Sequence, residues 1–393
     1  MMKILSFTSL FPNSSNTRHG VFVKNRLIKI MEYYDHNITL ISPIPATPFL
    51  PGRLNPYRSQ SSIAELEQVE VIPVHHPRYT HIPLIGMYFQ PWFMYRSAFK
   101  LIQKNPEIVK DVKIIDAHYA YPDGVAAVML ARKLSLPSVI TVRGSDVNKL
   151  PEYLVPRLWL KWAFKRCDWL IPVSKSLSKK IESLDSKCID KITVIANGVD
   201  TKVFNDSAVS VDNKIERKTQ RLLLSVGNLI ALKGHHLIID AIKADETLQL
   251  IIIGSGPMES QLLKQIEDMG MGHRVSIKGN IPQNELAAIY TQADLLILAS
   301  ESEGCPNVLL ESQACGTPVI STDVGAARDL MVENKTGLIM LRTPDSIYKT
   351  IQKAFSMDLN ISLDEFKETH SWQPKVKQIE SLFRLIGKNT NGR

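Results

Sequence analysis

Glu303 and Glu311 stand eight residues apart in Glu303-Gly-Cys-Pro-Asn-Val-Leu-Leu-Glu311 and bracket the start of a helix. Pro306 suits a first helical turn, where its missing N–H costs nothing, and Gly316 is a natural stop before the strand-like stretch Thr317–Ser321. Asn307 and Glu311, four apart, share one helix face, with Val308 beside them. They lie near an N-terminus whose free N–H groups and partial positive charge suit a phosphate. Such a helix can hold a nucleotide diphosphate if other segments bring matching groups; two solvated acids on a surface helix are the plain alternative. Gly20, in Asn16-Thr-Arg-His-Gly-Val-Phe-Val23, opens the first helix after the first strand. A residue without a side chain there lets backbone N–H groups approach a phosphate, or simply makes a turn.

The elements that must position these groups form an α/β pattern of short apolar strands and helices. Lys3–Thr8, Asn37–Ser42, Val69–Val74, Val112–Asp116, Ser138–Val142 and Trp169–Val173 read as buried parallel strands. The polar run Asn205–Gln220 interrupts the rhythm, which restarts near 221–226 and continues at 248–253, 274–278, 294–298, 317–321 and 337–340. This predicts two doubly wound, Rossmann-like domains facing a cleft: 1–205, a linker 206–220, and 221–370. An amphipathic C-terminal helix within about 371–393 is expected to return to the first domain. Ligands in such sheets bind beyond the carboxyl ends of the strands. Gly227-Asn228, Gly254-Ser-Gly-Pro257 and Glu301–Glu303 follow three strands of the second half.

Composition narrows the class. With 393 residues and 44% hydrophobic content the chain can fill two cores. Cys167, Cys188, Cys305 and Cys315 show neither C-x-x-C pairing nor a histidine at zinc-like spacing, so no disulfide framework or structural metal is expected. The apolar run at the N-terminus is too short for a signal peptide, no later run approaches a membrane span, and a cytoplasmic protein is expected. Residues 1–200 hold 26 Lys/Arg against 16 Asp/Glu, a charge of +10, and the remainder holds 21 against 23.

Taken in order, Asp116-Ala-His118, Val173-Ser-Lys175, Asn197-Gly-Val-Asp200, Ser225-Val-Gly-Asn-Leu-Ile-Ala-Leu-Lys-Gly234, Ile253-Gly-Ser-Gly-Pro257 and Glu303-x7-Glu311 resemble the GT-B glycosyltransferases of retaining family 4 (glycosyl transferases group 1). The likeness spans nearly the whole chain. The resemblance implies a hexosyltransferase-type enzyme in which Glu311 holds the ribose hydroxyls, Glu303 faces the donor sugar and Lys233 meets the departing diphosphate. It also implies that His118 contacts the transferred sugar, that Gly254 and Gly256 lie at the donor, and that the anomeric configuration is retained. Family members usually carry Arg where this chain has Asn228. Arg143, in Thr141-Val-Arg-Gly-Ser-Asp146 at another strand end, is the candidate substitute cation, with pairing to Asp146 as the structural alternative. That role implies a far larger loss of activity in Arg143→Ala than in Arg78→Ala.

No D-x-D occurs, so transfer without a metal or other cofactor is expected, from a nucleotide-sugar donor, UDP-linked rather than GDP-linked. The acceptor falls to the basic first domain and is lipid-linked or a saccharide, as in surface polysaccharide assembly. Arg157, Lys161 and Lys165 with Trp159 and Trp162, and the cluster Met87–Arg96, suit contact with an anionic membrane at the inner face of the cell, or are ordinary amphipathic helices. No nucleic-acid motif accompanies the basic charge. A sugar-nucleotide epimerase of the same fold, recognisable by turnover without acceptor, and a nucleotide-sugar-binding protein with little turnover are the alternatives.

Overall fold

The computed structural model describes residues 1–47, 57–82, 86–208 and 221–390, with the backbone alone for 388–390. The chain divides into two compact units, Met1–Asn197 joined by the chain from Lys375 onward, and Gly198–Pro374. The first unit holds β1 (Lys3–Phe7), β2 (Asn37–Ile41), β3 (Ile44–Ala46), β4 (Leu66–Val69), β5 (Ile72–His75), β6 (Arg78–Thr80), β7 (Val112–His118), β8 (Ser138–Val142) and β9 (Trp169–Pro172). Its main sheet runs β4-β5-β2-β1-β7-β8-β9 and is parallel except at β4–β5, while β3 and β6 pair separately. Leu5, Phe7, Ile115 and Ala117 from the central strands pack under Met94, Ala98 and Leu130 of the helices Gly86–Lys104 and Val125–Leu134.

The second unit holds β10 (Arg221–Val226), β11 (Leu248–Ile253), β12 (Val275–Lys278), β13 (Leu295–Leu298), β14 (Val319–Thr322) and β15 (Gly337–Met340), in the order β12-β11-β10-β13-β14-β15 with every pair parallel. These strands follow the expected spans closely, because a strand covered on both faces is a continuous apolar run: all four residues of Leu295–Leu298 are buried. The chain winds from β10 toward β12, then returns to place β13 on the other side of β10. The switch point of the sheet therefore lies between β10 and β13.

Three expectations shift. Val69–Val74 is not one parallel strand: the chain turns at Glu70 and Val71, and β4 runs antiparallel to β5. Glu70 has φ of 53° and Val71 is 60% exposed, so the turn interrupts what reads as one apolar alternation. The domain seam falls at Asn197, not 205, because the following residues pack on the second unit. Val199 N donates to His370 O, and Phe204 meets Tyr290 edge-on at 6.1 Å. The expected linker lies outside the described residues from 209 to 220. At the other end, Glu380 of the helix Trp372–Thr390 is buried in the first unit, 2.5 Å from Nε2 of His36.

Candidate active site

At the switch point of the second unit, Lys233 and Glu303 meet. A single turn, Ala231–Lys233, follows β10, and the loop after β13 carries Glu303; Nζ lies 2.5 Å from Oε1. Ser300 Oγ also donates to that oxygen at 2.7 Å. The Lys233 side chain is 23% exposed. The pair is thus held from β10 on one side and β13 on the other, at the place where an open sheet splays its loops apart.

Pro306 takes the cap position of the helix Asn307–Ala314, one residue earlier than its expected place in the first turn. Asn307, Val308 and Glu311 lie along its half-buried side. Burial pushes the Glu311 carboxyl up to about 7, against the hydrogen bond from Tyr290 that favours its charged form. Tyr290 Oη donates to Oε2 at 3.0 Å.

Asn228 is exposed after Gly227, and the loop with Gly254 and Gly256 is sewn to that segment. Leu229 N donates to Ser255 O at 2.9 Å, and Met258 N donates to Leu229 O at 3.0 Å. At Gly254, with φ of 151°, a Cβ would stand 1.9 Å from the Gly227 carbonyl oxygen. Loop-to-loop packing therefore requires this glycine. The structure brings Asn228, Lys233, Gly254, Gly256 and Glu303 to the carboxyl ends of three neighbouring strands, β11, β10 and β13, while Asn307, Val308 and Glu311 follow on the helix after β13.

Gly20, His118 and Arg143 lie in the first unit. Gly20 caps the helix Val21–Tyr34 with φ of 67°, and a Cβ there would sit 2.1 Å from the Leu10 carbonyl oxygen. The close approach that demands glycine is thus to the chain's own backbone. His118 is wholly buried, with Nδ1 3.0 Å from Arg143 Nη2 and Nε2 3.2 Å from Asp116 Oδ2. Burial pushes its pKa down to about 4, so the ring is neutral and Nδ1 accepts from Arg143.

The Arg143 guanidinium donates to Asn197 Oδ1 at 2.8 Å and lies 4.9 Å over the Phe22 ring. Asp146 accepts backbone N–H groups from Ala120, Arg143 and Gly144, and the charge of Arg143 also favours its ionised form. Arg78 is also structural, donating to the carbonyls of Gln60 and Ile63, so an exposed arginine such as Arg132 is the better reference. Arg143→Ala is expected to destabilise the first unit by about 1.5–3 kcal/mol in urea unfolding, the range of hydrogen bonds to a charged group. Arg132→Ala should stay within about 0.5 kcal/mol. Equal, small effects would show that the buried network does not hold the strand ends.

The helix Leu154–Arg166 turns Pro156, Leu160, Ala163 and Phe164 inward. Trp159 and Trp162 are half-buried with ring centroids 5.8 Å apart, and Trp159 Nε1 donates to Tyr88 O at 3.0 Å. Trp159 thus ties this helix to the helix Gly86–Lys104. Two further residues, Tyr290 and Arg342, join the site without any local signal in the sequence, since their partners are remote in the chain. Arg342 Nη2 donates to Ala231 O at 2.8 Å and its Nε donates to Ala299 O at 3.0 Å.

The family model described as Glycosyltransferase Family 4 matches residues 26–203, and that described as Glycosyl transferases group 1 matches residues 210–371. The putative teichuronic acid biosynthesis glycosyltransferase TuaC of Bacillus subtilis is 29% identical over 95% of this chain and 92% of its own. Among solved structures, sucrose-phosphate synthase from Thermosynechococcus elongatus superposes with a TM-score of 0.75 at 17% identity, covering 98% of this chain and 99% of that one. Anabaena HepE in complex with UDP gives 0.72 at 16%, covering 98% and 100%; at such identities the likeness is one of fold. With both models matched in chain order and the two parallel-sheet units in place, the chain belongs to the GT-B glycosyltransferases of family 4, the glycosyl transferases group 1.

Proposed function

We propose that this glycosyltransferase is retaining and metal-independent, moving a hexosyl group from a UDP-linked donor to a lipid-linked or saccharide acceptor in surface polysaccharide assembly. The observation that carries the reading is the Lys233–Glu303 pair at the switch point, one helical segment before Glu311. On donor binding the ammonium exchanges Glu303 for a diphosphate oxygen, where a charge-assisted bond contributes about 1.5–3 kcal/mol. Glu303 is then released toward the sugar hydroxyls, and ionised Glu311 accepts from the ribose. The acceptor oxygen bonds to C1 as the C1–O bond to phosphate breaks on the same face; the departing diphosphate takes the acceptor's proton. No enzyme nucleophile is required, and Lys233 stabilises the charge that a divalent ion would otherwise meet.

The UDP complex of a structural neighbour supports the choice of base, and the biosynthetic name of the Bacillus relative supports the pathway class. Among the described residues no helix is long and apolar enough to cross a membrane. Contact with an anionic membrane surface is assigned to the first unit, where Phe89, Leu154 and Leu158, each more than half exposed, accompany Arg96 and Arg157; pelleting with phosphatidylglycerol vesicles tests it.

The donor reading is tested by thermal stabilisation with UDP-, GDP- and ADP-sugars in the presence of a chelator, comparing the native chain with Glu311→Ala. UDP-sugars are expected to stabilise the native chain, by about 2.7 kcal/mol at a hundredfold excess over Kd, and to leave the variant unmoved. No shift with any nucleotide sinks the reading; a shift with another base alone corrects the donor.

A further inference from the structure

Arg342 follows β15 and lies apart from every motif used so far, yet its guanidinium reaches both segments of the active site. Nη2 donates to the carbonyl of Ala231, the first residue of the turn that carries Lys233. Nε donates to the carbonyl of Ala299, the first residue after β13 and four before Glu303. A backbone bond, Glu301 N to Leu232 O at 2.8 Å, joins the same two segments, and Glu301 Oε2 lies 3.8 Å from Arg342 Nη1. The planar fork of an arginine can hold two carbonyls at fixed separation, which the single ammonium of lysine cannot reproduce.

We propose that Arg342 is a positioning residue, clamping the Lys233 turn to the Glu303 loop so that the ammonium is presented to the donor's diphosphate. Its Nε and Nη2 each donate to a backbone carbonyl and its Nη1 faces Glu301, so the role assigned to it is exerted through Lys233 and not on the substrate. The proposal rests on the reading of Lys233 as the diphosphate cation. The need for such a clamp is sharpened by Asn228, which adds no second cation near the turn: with one ammonium in the motif, a displacement of about 1 Å is costly.

Two measurements separate the clamp from the donor reading. The first uses ligand-free protein. In Arg342→Ala, hydrogen exchange at the amides of Glu301, Lys233 and Gly234 is expected to rise at least tenfold, amides of β14 are expected to stay unchanged, and Arg342→Lys is expected not to restore protection. Unchanged exchange at Glu301 and Lys233 overturns the clamp whatever the protein binds. The second is calorimetry with UDP on Arg342→Ala, Lys233→Ala and the double variant. Arg342→Ala is expected to weaken UDP about tenfold and to have no further effect once Lys233 is gone, the coupling of contacts acting through one group. Multiplying losses would show that Arg342 acts independently of Lys233 and overturn the proposal. Should the native chain bind no UDP, the donor reading fails, and the exchange measurement alone decides for or against the clamp.

Discussion

Lys233→Ala is expected to lower the rate of diphosphate release from the donor about 10²–10³-fold, the usual cost of removing one preorganised group from developing charge. The expectation follows from the lack of a second cation in the motif. Asn228 stands in the exposed place after Gly227 and carries no charge, so charge accumulating on the leaving group meets Lys233 first. The fold should tolerate the change. The Lys233–Glu303 pair is partly exposed, at 23% and 14% for the two side chains, and pairs of this kind contribute only about 0–1 kcal/mol to stability. A lost rate with an unaltered melting temperature therefore reports chemistry. Initial rates with the donor identified in the thermal screen measure it, with exposed Lys264→Ala as reference. The drop should fall mainly on kcat, because the charge is greatest after the C1–O bond has begun to break. A loss below about threefold would remove Lys233 from the leaving group.

Much of this site is legible in the amino-acid sequence alone, for an identifiable physical reason. Parallel strands covered on both faces are apolar along most of their length, so Leu248–Ile253, broken only by Gln249, and Leu295–Leu298 announce themselves, and ligand-bearing loops follow them. The helix Asn307–Ala314 is equally plain from Pro306 and Gly316, to within one residue at its start. Contacts between distant segments are not legible. Lys233 and Glu303 are 70 residues apart, and only the return of β13 to the side of β10 brings them together. Tyr290 and Arg342 depend on the same strand order. His118 and Arg143 are legible as strand-end residues but not as partners: they bind each other, which short-range pattern does not encode. The seam at Asn197 escapes the pattern because the polar run after Asn205 marks a change of composition, whereas the seam itself is set by Val199 and Phe204 packing on the second unit.

Glu311→Gln is expected to split binding from stability, weakening UDP by about 10–100-fold while making the ligand-free protein more stable above pH 7. In the proposed role the carboxylate accepts two ribose hydroxyls, and a neutral amide, with one acceptor oxygen, cannot replace it. The stability effect has the opposite sign. Burial raises the Glu311 carboxyl to about 7, above its ordinary value near 4.5, so folding favours the protonated form. That contribution is fully present below about pH 4.5 and is lost as pH rises through about 7, where the folded protein must hold a buried charge. Glutamine keeps an acceptor for Tyr290 Oη, 3.0 Å away, and never ionises, so it should raise the melting temperature at pH 8 by about 2–4 °C or more and change little at pH 5. Binding must ionise the carboxyl, so native affinity for UDP is expected to fall about tenfold from pH 8 to pH 6. The same titration on the glutamine variant removes the contribution of the nucleotide's own phosphate. Calorimetry and thermal melting at the two pH values test both signs. A variant that binds UDP as tightly as the native chain would take Glu311 away from the ribose. One that melts lower at pH 8 would show that the charged carboxylate stabilises the fold.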